Sequence, residues 1–187
     1  MWRSSSPSVT PVTTQKSTLP QGVPEKPTSS ALPGEELYRD EALHYGFAYP
    51  EKMTLQPCDG GACVSLGDDL TAVQILSTDV FKPTPEVGLK KNDLLCMASG
   101  VGVNITCTTT KVTAFTNANG TKGYAVERTK KKNREAGVSE TVYVFPLRQA
   151  VKGGDGRTQT GVMFQIDELN KSNPVATKAL IESVFVY

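Results

Sequence analysis

The chain has 187 residues, with 20 lysines and arginines against 19 aspartates and glutamates, one histidine, four cysteines, 12 prolines and 16 glycines. A formal charge of +1 gives no global field that would draw in nucleic acid or an anionic membrane surface. The longest apolar runs, such as Leu94 to Ala98 and Val184 to Tyr187, fall far short of the roughly 20 residues a membrane-spanning helix needs.

Composition breaks near residue 34. Of the first 33 residues 18 are Pro, Ser or Thr, six of the twelve prolines lie there, and Trp2 is the only aromatic. Such a stretch buries too little apolar surface to offset its ordering entropy. The expectation is therefore a disordered tether over residues 1–34 and an α+β domain over residues 35–187. Met1-Trp2-Arg3-Ser4 is not followed by the apolar core of a signal peptide. That leaves three alternatives: an anchor or signal upstream of residue 1, a misassigned start, or a cytosolic chain. A Ser/Thr/Pro stalk ahead of a compact domain is most at home just outside a membrane. An extracytoplasmic address is thus expected, in the cell envelope and either membrane-anchored or secreted, with membrane contact only through an anchor that precedes this sequence.

In chain order, Leu37 to Asp40 reads as a strand, followed by a charged turn and by His44 to Tyr49, where Tyr45, Phe47 and Tyr49 alternate onto one face. Met53 to Leu55, Cys63 to Leu66 and Thr71 to Leu76 continue as short strands separated by Asp/Gly turns, an antiparallel meander. The period then changes. Thr84 as N-cap, Pro85 at the first helical position, and Val87, Leu94, Leu95 and Ala98 near 3.6-residue spacing predict a central helix ending at Gly100. Longer strands are predicted over Cys107 to Phe115, Gly123 to Arg128, Thr141 to Leu147 and Gly161 to Ile166, with Asn117-Ala118-Asn119-Gly120 as a turn and Lys130 to Arg134 as a basic loop. Asn173 and Pro174 open a second helix that runs into a terminal strand, Val184 to Tyr187. Strand runs broken by one central and one terminal helix imply a central antiparallel sheet flanked by helices.

Little in this pattern carries chemistry. His44 is the one conventional base near neutral pH, and no nucleophile-elbow context accompanies it, so it reads as a strand-start histidine and the chain is not expected to be an enzyme. Gly60-Gly61 and Gly153-Gly154 lack phosphate-loop spacing and read as turns. Asp59, Asp68 and Asp69 form the densest acidic cluster, with solvated turns and a cation site as the two readings. No cofactor and no metal are expected. Cys58 with Cys63, and Cys96 with Cys107, are spaced so that each pair would close a local disulfide around a turn. Four cysteines allow three connectivities, and four reduced thiols in a cytosolic core are the alternative. Arg128, Lys130, Lys131, Lys132 and Arg134 are the sharpest charge feature, a candidate contact with a partner or a membrane surface. No aromatic interleaves them, which argues against a single-stranded nucleic acid.

Tyr38-Arg39-Asp40 leading into Tyr45-Gly46-Phe47-Ala48-Tyr49-Pro50, the central helix, Gly123-Tyr124, and the terminal helix running into Ile181-Glu182-Ser183-Val184-Phe185 resemble the PsbP-like family over roughly residues 36 to 187. The resemblance implies an α/β/α sandwich around an antiparallel sheet, an extracytoplasmic and often membrane-attached domain, and no catalytic activity. It departs from the family where a Trp usually follows the strand-ending Pro, since Glu51-Lys52-Met53-Thr54 stands here. The resulting expectation is a monomeric, non-enzymatic module that binds another envelope protein or supports an assembly, with no nucleic-acid partner. The alternative is a small-ligand or cation-binding domain.

Overall fold

Asp40 sets the first hairpin. Its carboxylate accepts from the Ala42 and Leu43 amides at 3.0 and 2.9 Å, and His44 closes the turn with φ at 57°, a left-handed conformation uncommon outside glycine. Strand β1 (Glu35–Asp40) thereby folds back on β2 (Tyr45–Pro50) in antiparallel register, Tyr38 opposite Phe47 and Arg39 opposite Gly46. The structure is a computed structural model that describes residues 31–58, 61–66, 71–78, 89, 105–133, 135–152, 156–166 and 174–187.

These two strands do not continue into the expected meander. They pair with the last strand, β10 (Phe185–Val186), as a three-stranded sheet with β2 in the middle. The strands between form a second antiparallel sheet of seven: β3 (Met53–Cys58), β4 (Gly61–Leu66), β5 (Thr71–Thr78), β6 (Ile105–Thr116), β7 (Lys122–Lys132), β8 (Val138–Lys152) and β9 (Thr158–Ile166), in the order β3-β4-β5-β9-β8-β7-β6. Helix α1 (Pro174–Ser183) begins on the anticipated proline and turns Thr177, Leu180 and Ile181 inward, spaced as one helical face, while Val175 is exposed.

The expected sheet flanked by helices is corrected accordingly: the described residues hold two antiparallel sheets and one helix of described extent, a more β-rich arrangement. Strands β6 to β9 run longer than their apolar blocks. Half of β6 is threonine, whose branched side chain favours an extended chain. Lys130 to Lys132 are strand, paired with Cys107 to Ile105, and not loop. Most of the predicted central helix lies outside the described residues, although Leu89 within it is helical and fully buried.

Alternation in β8 and β9 divides the interior. Phe145, Val162 and Phe164 point to one side of the large sheet, against Tyr45, Phe47 and Tyr49 of β2 and Leu180, Ile181 and Val184 of the C-terminal segment. Val142, Val144 and Met163 point to the other, with Val126 and Leu89. The Phe164 ring is the hub, meeting Phe47, Tyr45 and Phe145 edge-on at centroid separations of 5.7, 6.4 and 5.6 Å. Edge-to-face pairs of this kind are each worth roughly 0.5–1.5 kcal/mol beyond area burial.

The opposite side of β2 shows why its second residue is glycine. Phe185, opposite Gly46, lays its ring across that strand to reach the Arg39 guanidinium, 5.0 Å from the ring centroid. A Cβ on Gly46 would collide with the Phe185 ring and lie 2.5 Å from the Tyr38 carbonyl oxygen. Gly46→Ala should therefore destabilise by about 1–3 kcal/mol through overpacking. It should lower the urea midpoint with the slope unchanged.

Tyr49 is buried and donates to the Glu36 carboxylate at 2.5 Å, and desolvation followed by that carboxylate pushes its phenol up from 10.0 to about 12. Burial also raises Tyr45, Tyr38 and Tyr187. A phenol with a raised pKa keeps its proton in the native state after the unfolded chain has lost it. Stability should therefore be level below the ordinary tyrosine pKa and fall as pH rises from there toward the native values. Urea titrations across that range check this, and Tyr49→Phe should flatten the fall.

Candidate interaction groove

The turn between β6 and β7 does more than reverse the chain. Asn117, 5% exposed, donates from Nδ2 to the carbonyls of Ile181 at 3.1 Å and Val184 at 2.7 Å. Asn119 donates to the Ser183 carbonyl at 2.6 Å, and the Ala118 amide to the Glu182 carboxylate at 2.7 Å. The last carbonyls of a helix have no partners within it, and here a distant turn supplies them. The turn is itself braced, with the Thr121 amide donating to Asn117 Oδ1 and the Gly120 amide to the Asn117 carbonyl, each at 2.9 Å, and Gly120 at φ 75°.

Ser183, the last residue of α1, completes the junction. Its hydroxyl accepts from the Ala48 amide at 2.9 Å and lies within 3.0 Å of the Ala48 carbonyl and 2.7 Å of the Leu180 carbonyl, sharing one proton between them. It thus serves the edge of β2 at the point where β10 no longer pairs with it.

These contacts leave an open groove of about 370 Å³ beside β10. The turn and the start of β7 contribute Asn119 to Lys122, β8 contributes Pro146, Leu147 and Arg148, and β10 contributes Phe185 and Val186. Its third wall exists because β8 loses its partners. The β7–β8 ladder ends at Tyr124–Val144, and the β8–β9 register shifts between Pro146 and Val151. Lys122 and Arg148 are exposed, and among the described residues neither forms an ion pair. The chemistry offered is anion recognition beside apolar surface and a strand edge. Sequence reasoning missed this site: the Asn-Ala-Asn-Gly cluster signalled only a turn, and isolated Lys122 and Arg148 gave no signal.

The residues singled out from the sequence separate. Arg128 leaves the basic patch. Strand alternation places it opposite Glu140, 1% exposed, with Nε donating to Glu140 Oε1 at 2.5 Å and Nη2 to Gln165 Oε1 at 3.2 Å. Desolvation lowers the guanidinium pKa, and the Glu140 carboxylate opposes that shift. Lys131 and Lys132 are exposed and Lys130 half-buried, while Arg134 lies outside the described residues. Cys107 is buried and disulfide-bonded. Cys58 and Cys63 lie on β3 and β4, where the register pairs Cys58 with Gly61 and Cys63 with Gln56, diagonal neighbours across the hairpin. Cys96 and the three aspartates Asp59, Asp68 and Asp69 lie outside the described residues. His44 is a turn residue whose ring meets Tyr187 edge-on at 5.6 Å, and not a strand residue. Among the described residues no cluster of three or more His, Cys, Asp or Glu side chains could hold a metal ion, and no helix is long and apolar enough to cross a membrane.

Fold and site together define a small β-rich domain with a cationic groove at a sheet edge. No protein-family model matches the chain, and no curated protein does. Among solved structures it is similar to cyanobacterial PsbP (CyanoP) from Synechocystis sp. PCC 6803, at 13% identity and a TM-score of 0.47, over 83% of this chain and 94% of that one. A shared activity does not follow from this similarity.

Asn117→Ala should destabilise by about 1–3 kcal/mol, because the buried Val184 carbonyl loses its donor and that of Ile181 keeps only the Val184 amide at 3.4 Å. Asn119→Ala, at an exposed position, should have a smaller effect, and paired urea midpoints of the two variants measure the difference.

Proposed function

We propose that the chain is a non-catalytic binding or assembly-supporting module that works outside the cytoplasm. Residues 1–34 act as its tether and residues 35–187 as the domain that meets a protein partner of the cell envelope. The groove carries this reading. It sets two cations without ion-pair partners among the described residues beside the edge of β10 that no described strand pairs with, in a frame tied to the chain's own C-terminal segment. Such a surface suits holding a partner.

The disulfide at Cys107 supports the address, since structural disulfides persist chiefly in oxidising compartments. In this reading Cys107 pairs with Cys96 and Cys58 with Cys63, the domain is a monomer, and Lys130, Lys131, Lys132 and Arg134 add a second contact with the partner or a nearby membrane.

Non-reducing peptide mapping of the protein isolated from its own host tests the address. The expected result is a Cys96–Cys107 linked peptide together with a Cys58–Cys63 one. Four free thiols in that material would place the domain in a reducing compartment and overturn the extracytoplasmic reading.

A further inference from the structure

Three properties of the groove select its occupant. The first is a strand edge. Among the described strands β10 pairs only with β2. The Tyr187 amide donates to the His44 carbonyl at 2.9 Å, which marks the bonded positions of that ladder. Bonded and non-bonded positions alternate in an antiparallel pair, so the N–H and C=O of Val186 turn away from β2. The second is that β8 does not satisfy this edge. It pairs with β9 at Pro146, which has no N–H to give, and then shifts register before Val151. The third is charge of one sign. Lys122 and Arg148 enter the lining from different strands, and no carboxylate lines the groove with them. The nearby Glu182 carboxylate is engaged by the Ala118 amide.

Resting on the reading of the chain as a binding module, we infer that this groove takes a short extended acidic segment of a partner protein. The segment adds as a strand to the edge of β10 and sets its carboxylates against Lys122 and Arg148. Strand addition of this kind draws affinity from main-chain hydrogen bonds and specificity from alternate side chains. Here the alternate positions meet the apolar surface of Pro146 and Leu147 and the two cations, all of which line the groove. A volume of about 370 Å³ accommodates a few residues of chain, so the recognised element is a brief motif and not a long strand.

The test pans a display library of random dodecapeptides against the full chain and measures the enriched peptides by fluorescence anisotropy. Enriched sequences should carry net negative charge. Replacing Lys122→Glu and Arg148→Glu together should weaken them about tenfold or more, through like-charge juxtaposition. Both sites are exposed, so the thermal midpoint of the double variant should stay close to the parent's. Peptides with Lys in place of their acidic residues should regain binding to the double variant, and hydrogen exchange at the Val186 amide should slow on binding.

Failure to enrich, enrichment without acidic bias, or binding indifferent to the double variant would each overturn the proposal. Unchanged exchange at Val186 would overturn strand addition. Displacement by inorganic phosphate, but not by chloride of equal ionic strength, would make the groove a small-anion site and overturn the peptide assignment. None of these results alters the disulfide map, and free thiols in host material would leave peptide binding measurable, so the two readings fail separately.

Discussion

Two carboxamides join the large sheet to the C-terminal segment. Helix α1 stops inside the protein, where its final carbonyls would otherwise be orphaned, and Asn117 and Asn119 reach across from a turn more than sixty residues earlier to take them up. Because the same turn begins β7, the large sheet and the C-terminal segment are set by one hydrogen-bonded joint. Ser183 extends that joint to β2 through both backbone groups of Ala48. The position of β10, the packing of Phe185 over Gly46 and the groove beside Val186 all depend on this arrangement.

Charge in this protein is sorted by depth and not by sequence neighbourhood. Arg128 and Lys130 are two residues apart on the same strand, yet Arg128 is sealed beneath the sheet with Glu140 and Gln165 while Lys130 is half-buried. A buried guanidinium is tolerated only because its carboxylate partner and a second acceptor offset the desolvation. The exposed Lys111–Glu127 pair, at 3.2 Å, contributes little by comparison, since solvent screens it. What remains for recognition is the set of cations that folding leaves unneutralised, and Lys122 and Arg148 are brought to one groove from strands that do not pair with each other at those positions.

Much of the β architecture was legible in the sequence. Tyr45, Phe47 and Tyr49 alternate, and they do form one buried face; Pro174 does start the terminal helix; each predicted strand of the domain is present, usually longer than its apolar core. The failures have a common cause. Arg128 looked like surface because charge usually is, and only its cross-strand neighbour Glu140 makes burial tolerable. The β1–β2 hairpin looked like the start of a meander because neighbouring strands commonly pair, but its free edge is taken by β10, the last strand of the chain. Asn117 looked like a turn former, and nothing local distinguishes a turn that merely turns from one that caps a helix elsewhere.

By itself, then, the sequence determined the local elements: where strands alternate, where prolines and asparagines interrupt them, and which aromatic residues must find a core. Those properties follow from side-chain periodicity and backbone propensity, which act over a few residues. Only the tertiary structure decided that the ten described strands divide into two sheets, that Arg128 is buried, that Gly46 lies beneath an aromatic ring, and that Lys122, Arg148 and Val186 share a groove. Each of these depends on cross-strand register or on hydrogen bonds between segments far apart in the chain, and such contacts are settled only when the packed layers come together.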